Sequence, residues 1–377
     1  MNLRRLVILS PVLCLLSFPL LLQPGEFSFQ GQLSGWLSGD AREPALTQLG
    51  FRYIPEWALT GNLDNGLTGD LMVSFDAGTA ANFRQGGTGI DEDIDAYRLW
   101  ARLAGDRFEI RAGLQKINFG SALLFRPLRW FDRIDPRDPL QRTEGVKGLL
   151  LRYYFPGNAN IWLWGLTGNN DLKGWETLPT SSGSVEIGGR LQVPVPAGEA
   201  GLTFHHRRAD TTTSTATPVP VNENRFALDC KLDIRIGLWF EATLIRRDTD
   251  LPLMGYRHMW VLGADYTFPL GNGLHVLAEY SQSAMTDTFL GSGEKAEFLG
   301  VSAGYPAGLL DRVSAIYYWD HANHDHYLWL NWQRSTDNWQ FHFTLFFNPE
   351  NSPAYGTPGR EQVFAGTGFR IMAVFNH

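Results

Sequence analysis

The chain is poor in charged residues and in cysteine. Asp, Glu, Lys and Arg make up only 19% of its 377 residues, and 32 basic residues against 39 acidic ones give a net charge of -7. This balance excludes a nucleic-acid-binding protein, which needs a surplus of positive charge. The two cysteines, Cys14 and Cys230, exclude a fold held together by disulfides. Low charge combined with 13% aromatic residues also excludes a disordered chain.

Long apolar runs are lacking too, except near the N-terminus. The uncharged stretch from Leu6 to Leu22 follows Arg4 and Arg5 and contains two prolines. A basic start followed by a short apolar stretch is typical of a secretory signal peptide, and we predict one over residues 1–25. The alternative, a membrane anchor, would need about 20 apolar residues. No later apolar stretch is long enough for a transmembrane helix. We treat residues 26–377 as one domain.

The sequence is rich in glycine, with 40 residues, and in segments where polar and apolar residues alternate. The segment from Phe27 to Ser38 places Phe, Gly and Leu on one face and mainly Ser and Gln on the other. This period of two indicates a strand that separates two environments. The alternating segments are about 9 to 13 residues long, which is the length that a tilted strand needs to cross a bilayer.

Short turns and longer polar connections follow each other in alternation along the chain. The longer connections are 78–95, 118–144, 168–183, 209–222, 247–256, 285–295 and 349–361. A transmembrane barrel has this arrangement, with short turns on the periplasmic side and long loops outside. We therefore predict an all-β fold, a transmembrane antiparallel β-barrel of about 18 strands with an inward-folded loop.

One connection differs from the others in charge. Residues 116–147 hold seven basic residues (five Arg, two Lys) against four acidic ones (three Asp, one Glu), and two prolines that follow aspartates interrupt any long helix. We predict that residues 118–144 fold inward as a constriction loop; the alternative is a salt-bridged loop that only braces the wall. The loop residues predicted to line the pore are Arg126, Arg129, Asp132, Arg133, Asp135, Arg137 and Asp138.

The alternation also assigns charged side chains to the inner wall. An arginine that faced lipid at the middle of the bilayer would cost roughly 2–4 kcal/mol, so an inward orientation is strongly favoured. A barrel of about 18 strands is wide enough to enclose an aqueous channel. The wall residues predicted to line the pore are Arg98, Trp100, Arg102, Glu109, Arg111, Glu186, Arg190 and Arg207.

These features resemble those of bacterial outer-membrane porins, and more narrowly the large substrate-specific barrels of the alginate-export and phosphate-selective kind. The resemblance rests on the strand–turn–loop rhythm, the Arg-rich segment 116–147 and the inward arginines. The C-terminal strand, which ends on Asn376-His377 instead of an aromatic residue, is similar to the signal that directs barrel insertion. The resemblance implies an outer-membrane location, contact with outer-membrane lipid and lipopolysaccharide, and assembly by the barrel-assembly machinery.

Two functions remain open. The first is a channel for passive or substrate-selective diffusion of small, anionic or sugar-like solutes, which surplus arginines would select. The second is a non-conducting barrel with a structural or assembly role, its lumen plugged by residues 116–147. No spacing brings a nucleophile, a base and an orienting residue together, so we expect neither an enzyme nor a cofactor. The choice between a monomer and a homo-oligomer stays open.

Three smaller predictions concern residues outside the Arg-rich segment. His321, His324 and His326 share one external turn and are candidate metal ligands, although a polar loop tip is the more common explanation. Cys230 is expected to face lipid, because it shares its strand face with Leu228. Aromatic girdles at the two membrane interfaces are expected to contain Trp57, Trp162, Trp164, Tyr317, Trp319 and Trp329.

Overall fold

The computed structural model describes residues 25–42, 45–63, 66–84, 87–211, 220–249, 251, 255–289, 291, 293–349 and 364–377. The predicted signal peptide, residues 1–25, lies outside the described residues except for Gly25, and it stays a prediction. No described residue belongs to a helix that is long and apolar enough to cross a membrane.

Eighteen β-strands make up one sheet. Their bounds are β1 Glu26–Asp40, β2 Leu46–Asn62, β3 Thr68–Arg84, β4 Gly87–Gly105, β5 Phe108–Gln115, β6 Val146–Tyr154, β7 Asn160–Thr167, β8 Val185–Val195, β9 Gly198–Asp210, β10 Pro220–Asp233, β11 Gly237–Arg247, β12 Tyr256–Phe268, β13 Leu274–Thr286, β14 Glu294–Pro306, β15 Asp311–Asp320, β16 Asp325–Ser335, β17 Trp339–Phe347 and β18 Thr367–Asn376.

The sheet closes on itself. Neighbouring strands pair antiparallel, and β1 pairs with β18 from Gln32 opposite Asn376 to Asp40 opposite Gly368. The backbone of His377 extends this seam by exchanging two hydrogen bonds of 3.0 Å with Gly31. The predicted antiparallel β-barrel of 18 strands is therefore confirmed.

The outer face of the barrel is apolar and the inner face is polar, which is the reverse of a soluble protein. On β10, Phe226 and Leu228 are exposed on the outside, whereas Arg225 and Asp229, on either side of this pair in sequence, are buried inside. Cys230 continues the outer row of this strand and is half-buried. An apolar exterior around a closed barrel is what contact with lipid requires, so the strands span a membrane.

The barrel wall is uneven in height, because β1 to β4 have 15 to 19 residues and β5 to β7 have only 8 or 9. The expectation of a loop over 78–95 is wrong, since β3 continues to Arg84 and β4 begins at Gly87. The acidic residues there lie on β4, where Asp91 accepts a hydrogen bond of 2.7 Å from Asn82 on β3. A carboxylate can lie within a strand when a side chain of the neighbouring strand donates a hydrogen bond to it. The acidic run is therefore compatible with β4, although such a run is typical of a loop.

Candidate functional site

The connection between β5 and β6, residues 116–145, crosses the lumen. We call it the inward segment and divide it into an N-terminal limb, 116–131, and a C-terminal limb, 132–145. Leu124 and Phe125 pack against Gly300 on β14, where an added Cβ would lie 2.8 Å from Leu124 and 2.9 Å from Phe125. Because β14 is far from β5 and β6 around the barrel, the segment reaches the opposite wall only through the interior.

Two carboxylates on the opposite wall hold the N-terminal limb. Glu279 on β13 accepts backbone hydrogen bonds of 2.6, 3.0 and 2.9 Å from Leu123, Leu124 and Phe125. Glu241 on β11 accepts the amides of Ser121 and Ala122, the latter at 2.7 Å. Both carboxylates are buried. Five consecutive backbone amides, which would otherwise lack partners in the interior, are thereby satisfied.

Apolar side chains fill the space beside these hydrogen bonds. Phe119, Trp130 and Phe131 pack against Trp164 on β7, with Phe119 stacked on Trp164 at 5.8 Å between ring centroids. Leu124 and Phe125 join a second cluster that includes Trp329 on β16.

The aromatic girdle prediction fails at three positions for this reason. Trp162, Trp164 and Trp329 lie on the inner face, packed against or beside the inward segment. The other three residues are on the opposite, outer face: Trp57 stacks on the exposed Phe29 at 5.5 Å, and Tyr317 and Trp319 alternate with the buried Tyr318. Where a loop covers the wall, inner positions become apolar, and the period-two signal of those strands disappears.

A second connection also folds inward, which the sequence did not reveal. Residues 168–184, between β7 and β8, bring Trp175 against the inward segment. The Trp175 indole donates a hydrogen bond of 2.8 Å to the carbonyl of Arg126, and its backbone amide donates one of 3.2 Å to the carbonyl of Arg129. The Arg129 guanidinium lies 4.0 Å above the Trp175 ring. This second connection therefore supports the turn between Arg126 and Arg129.

A buried ionic network anchors residues 168–184. Glu176 contacts Arg225 at 2.7 Å and Arg207 at 3.3 Å, and Glu223 bonds to Arg207 and Arg247 at 2.6 Å each. The network closes off that side of the lumen, because its groups are buried. Each of its three arginines has at least one carboxylate partner, as buried ions require.

Three of the wall residues predicted to line the pore belong to this sealed side. Arg207 lies in the network itself, and Glu186 contacts Lys173 at 3.1 Å and His205 at 3.1 Å. Arg190 forms a bidentate pair with Asp229 at 2.6 and 2.7 Å. All three side chains point into the barrel, but they are enclosed by protein and have little contact with water.

The C-terminal limb is held by polar and charged residues of the inward segment itself. Arg126 binds Asp132 at 2.9 Å, Arg137 binds Asp135 at 2.8 Å, and the amide of Arg133 donates to the Thr143 hydroxyl at 2.7 Å. Burial alone would raise the pKa of Asp135, but the charge of Arg137 and its hydrogen bonds outweigh burial and lower this pKa. The Asp138 carboxylate accepts the amide of Leu140 at 3.1 Å. Predicted loop residues are thus brought together in pairs.

Arginines on β4 to β6 form a group that water reaches. We call Arg98, Arg102, Arg111 and Arg152 the arginine group. Three of its members share one carboxylate: Glu109 lies 3.5 Å from Arg102, 3.0 Å from Arg111 and 3.6 Å from Arg152. Their side chains remain 31, 17 and 18% exposed.

The fourth member, Arg98, has a different partner. It donates a hydrogen bond of 3.0 Å to the carbonyl of Thr143, and among the described residues no carboxylate lies within 4.0 Å of it. Arg102 has one additional carboxylate, Asp70, at 2.7 Å. Positive charge therefore exceeds negative charge in this part of the lumen.

Two aromatic rings support the arginine group. The Arg111 guanidinium lies 4.6 Å above Trp100, and the Arg152 guanidinium lies 3.8 Å above Trp162. Sequence reasoning missed Arg152, because the three leucines before it conceal which face it shares. Arg152 lies opposite Glu109 in the β5–β6 register, and this cross-strand pair of opposite charges is the pattern that indicates an inward orientation of Arg152.

The histidines of the external turn do not converge. His326 accepts or donates a hydrogen bond of 2.6 Å with the Tyr317 hydroxyl, whereas His321 packs edge-on against Trp319. Across the described ranges, no group of three His, Cys, Asp or Glu side chains is arranged to hold a metal ion.

Comparisons with known proteins show similarity at the level of structure. No protein-family model matches the chain, and no curated protein sequence matches it. Among solved structures, OccD3 (OpdP) of Pseudomonas aeruginosa is similar with a TM-score of 0.57 at 11% identity, covering 95% of each chain. OmpF of Salmonella typhi, in complex with daunomycin, has a TM-score of 0.52 at 11% identity and covers 94% of this chain and 98% of its own.

A third similar structure is the trimer form of OmpT from Vibrio cholerae, with a TM-score of 0.51 at 11% identity, covering 94% of this chain and 100% of its own. At such identities the similarity concerns the fold. The chain has the barrel fold of the bacterial outer-membrane porins, and this architecture places it in the outer membrane.

Proposed function

We propose that the barrel is a narrow, porin-like channel through which small solutes diffuse, with a preference for anions. The observation that carries this proposal is the arginine group, in which three guanidinium groups share Glu109 and stay in contact with water. In a narrow passage, where the effective dielectric constant is well below that of water, such uncompensated charge attracts anions strongly.

The arginine group favours anions over sugars as the preferred solutes. Sugars stack on open indole faces, but Arg111 and Arg152 already cover one face of Trp100 and of Trp162. Guanidinium groups that are held flat on a ring keep their N–H edges free for carboxylate or phosphate oxygens. A relation to alginate-export or phosphate-selective barrels would fit this chemistry and remains part of the proposal.

The proposal is tested by the reversal potential in planar bilayers under a KCl gradient. We expect an anion-selective wild type and a reversal potential that moves toward zero in the variant combining Arg98→Gln with Arg111→Gln. The matched control combines Arg235→Gln with Arg246→Gln, two exposed arginines outside the lumen, and should behave as the wild type. A cation-selective wild type, or equal selectivity in all three proteins, would contradict the proposal.

A second candidate function is a non-conducting barrel with a structural or assembly role. It is favoured by the extent of the inward segment, which packs against β6, β7 and β10 on one side and β11 to β17 on the other. Wild-type protein that shows no conductance, although it is inserted as a closed barrel, would support this candidate.

Further partners belong to the proposal as well. We propose that outer-membrane lipid and lipopolysaccharide surround the apolar exterior, and that the barrel-assembly machinery inserts the chain. A homo-oligomer is supported only by analogy with the OmpT trimer form. Its mass in mild detergent, measured by light scattering, would decide between a monomer and an oligomer.

A further inference from the structure

The two limbs of the inward segment are attached to the wall by different kinds of contact. The N-terminal limb is fixed by five backbone hydrogen bonds to Glu241 and Glu279 and by two apolar clusters. The C-terminal limb meets the wall on the side of its own flanking strands, at β3 and β4, through polar contacts, and only Leu140 among its described residues joins an apolar cluster, with Trp36 and Met372. Arg142 forms an ion pair with Asp76 on β3, and Arg98 on β4 donates to the carbonyl of Thr143.

Water reaches the inner wall on the side of the C-terminal limb. Arg52 on β2 keeps 16% of its side chain exposed and Arg102 on β4 keeps 31%, whereas Glu223 and Glu279 on the far side are fully buried. The open part of the lumen therefore lies between the C-terminal limb and strands β2 to β6.

The contact between Asp76 and Arg142 narrows the open part of the lumen, because it joins the C-terminal limb to β3. Asp76 lies between two arginines, since it also contacts Arg52 at 2.7 Å. Beyond Arg142 along the chain, Thr143 receives the hydrogen bond from Arg98, a member of the arginine group. Along β3, Asp76 lies farther from the short β2–β3 turn than Asp70, the partner of Arg102, so a solute that enters from the opposite end meets the limb before it meets Arg102.

We propose that the Asp76–Arg142 ion pair is the gate of the solute path and determines which solutes open it. The C-terminal limb moves away from β3 when the pair breaks, while the N-terminal limb keeps its position on the opposite wall. An anionic solute opens the gate because its oxygens replace Asp76 as the partner of Arg142, while Asp76 keeps its contact with Arg52 at 2.7 Å. Neutral solutes cannot make this exchange. The identity of the solute rests on the proposed function.

The strength of the pair suits this role. Both side chains are largely shielded from water, with 11% of Arg142 and 7% of Asp76 exposed. Breaking such a pair without replacement leaves the charge of Arg142 desolvated and without a partner, which is costly, whereas exchange for another anion leaves Arg142 paired with the solute and Asp76 paired with Arg52. The pair therefore stays formed without a solute, which narrows the path for small ions, and it yields to a solute of matching charge.

The test compares single-channel conductance of the wild type with that of Asp76→Asn and of Arg142→Gln. We expect both variants to conduct more, by about twofold or more, because the narrowest section of a pore limits its conductance. The two substitutions change the lumen charge in opposite directions. An effect of charge alone would therefore raise anion conductance in one variant and lower it in the other, whereas release of the gate raises conductance in both.

The matched control is Asp248→Asn, which neutralises an ion-paired aspartate outside the lumen, 3.5 Å from Arg246. It should conduct as the wild type, and heat-modifiable migration should show that all variants are folded barrels. A conducting wild type with unchanged or oppositely changed variants would overturn the gate and leave the channel standing. A closed wild type with conducting variants would support the gate and overturn passive diffusion in the resting state. If neither the wild type nor the variants conducted, both the gate and the proposed channel would be overturned.

Discussion

Glu279 on β13 accepts a backbone hydrogen bond of 2.6 Å from Leu123, which belongs to a hairpin connection on the other side of the barrel. The same carboxylate receives the indole N–H of Trp239 at 3.1 Å. The two oxygens of a carboxylate have about four acceptor sites, so a single glutamate can satisfy several N–H donors at once. One side chain of the opposite wall thus contributes three of the five backbone hydrogen bonds that hold the N-terminal limb in the lumen.

Replacing Glu279 by Gln should therefore loosen the N-terminal limb. The amide NH2 group cannot accept hydrogen bonds, so buried backbone donors lose their partner, at a cost of about 3 kcal/mol. Trypsin should cleave the variant within residues 116–147 faster than the wild type. Glu297→Gln, which changes a half-buried carboxylate on neighbouring β14 that does not contact the inward segment, serves as the control. Equal protease resistance of both variants would contradict this account of the carboxylate.

Substitution of Glu176 by Gln should weaken the second inward connection. It removes the charge shared by Arg207 and Arg225 and leaves these buried arginines with Glu223 alone, which costs about 3–5 kcal/mol for a broken buried pair. The temperature at which the folded band converts to the unfolded band in detergent gels should fall. Asp171→Asn, exposed in the same connection, should leave this temperature unchanged.

Cys230 should react poorly with a water-soluble maleimide in intact membranes. It lies in the outer row of β10 with Leu228, and its side chain is half-buried. A cysteine introduced at the exposed Asp248, in a Cys230→Ser background, should react quickly under the same conditions. Fast labelling of Cys230 itself would show that this part of the barrel wall is not covered by lipid.

Outer-membrane fractions should contain the protein as a heat-modifiable band, because a closed barrel resists detergent until it is heated. Deletion of residues 367–377 removes β18 and should abolish the folded band. Recovery of the full-length protein in the soluble periplasmic fraction would refute the membrane barrel.

The sequence predicted the barrel because lipid imposes a strict pattern on both faces of a strand. Leu228 and Asp229 could be assigned to opposite faces without any knowledge of their neighbours. Strands under the inward segment lack this pattern. On the inner face of β16, Tyr327 and Trp329 belong to the apolar cluster of that segment, so the row of polar inner residues is interrupted there.

The candidate site was predictable only where charge marked it. Arg98, Arg102 and Arg111 stand out in alternating strands, and the Arg-rich composition of 116–147 distinguished that connection from the rest. The contacts of Glu241, Glu279 and Trp175 could not be predicted, because they depend on which strands face each other across the lumen. The sequence of one strand contains no information about its distance from a loop that starts six or eight strands earlier.

The seam between β1 and β18 has a consequence for biogenesis. Leu33 pairs with Phe375, so the first and the last strand of the barrel need each other to satisfy their edge hydrogen bonds. No nascent fragment that lacks the final ten residues can complete the cylinder, and contacts this distant in sequence form slowly. Closure of the barrel therefore has to wait for the last strand, and a prematurely terminated chain keeps two unpaired strand edges, which expose it to aggregation or proteolysis.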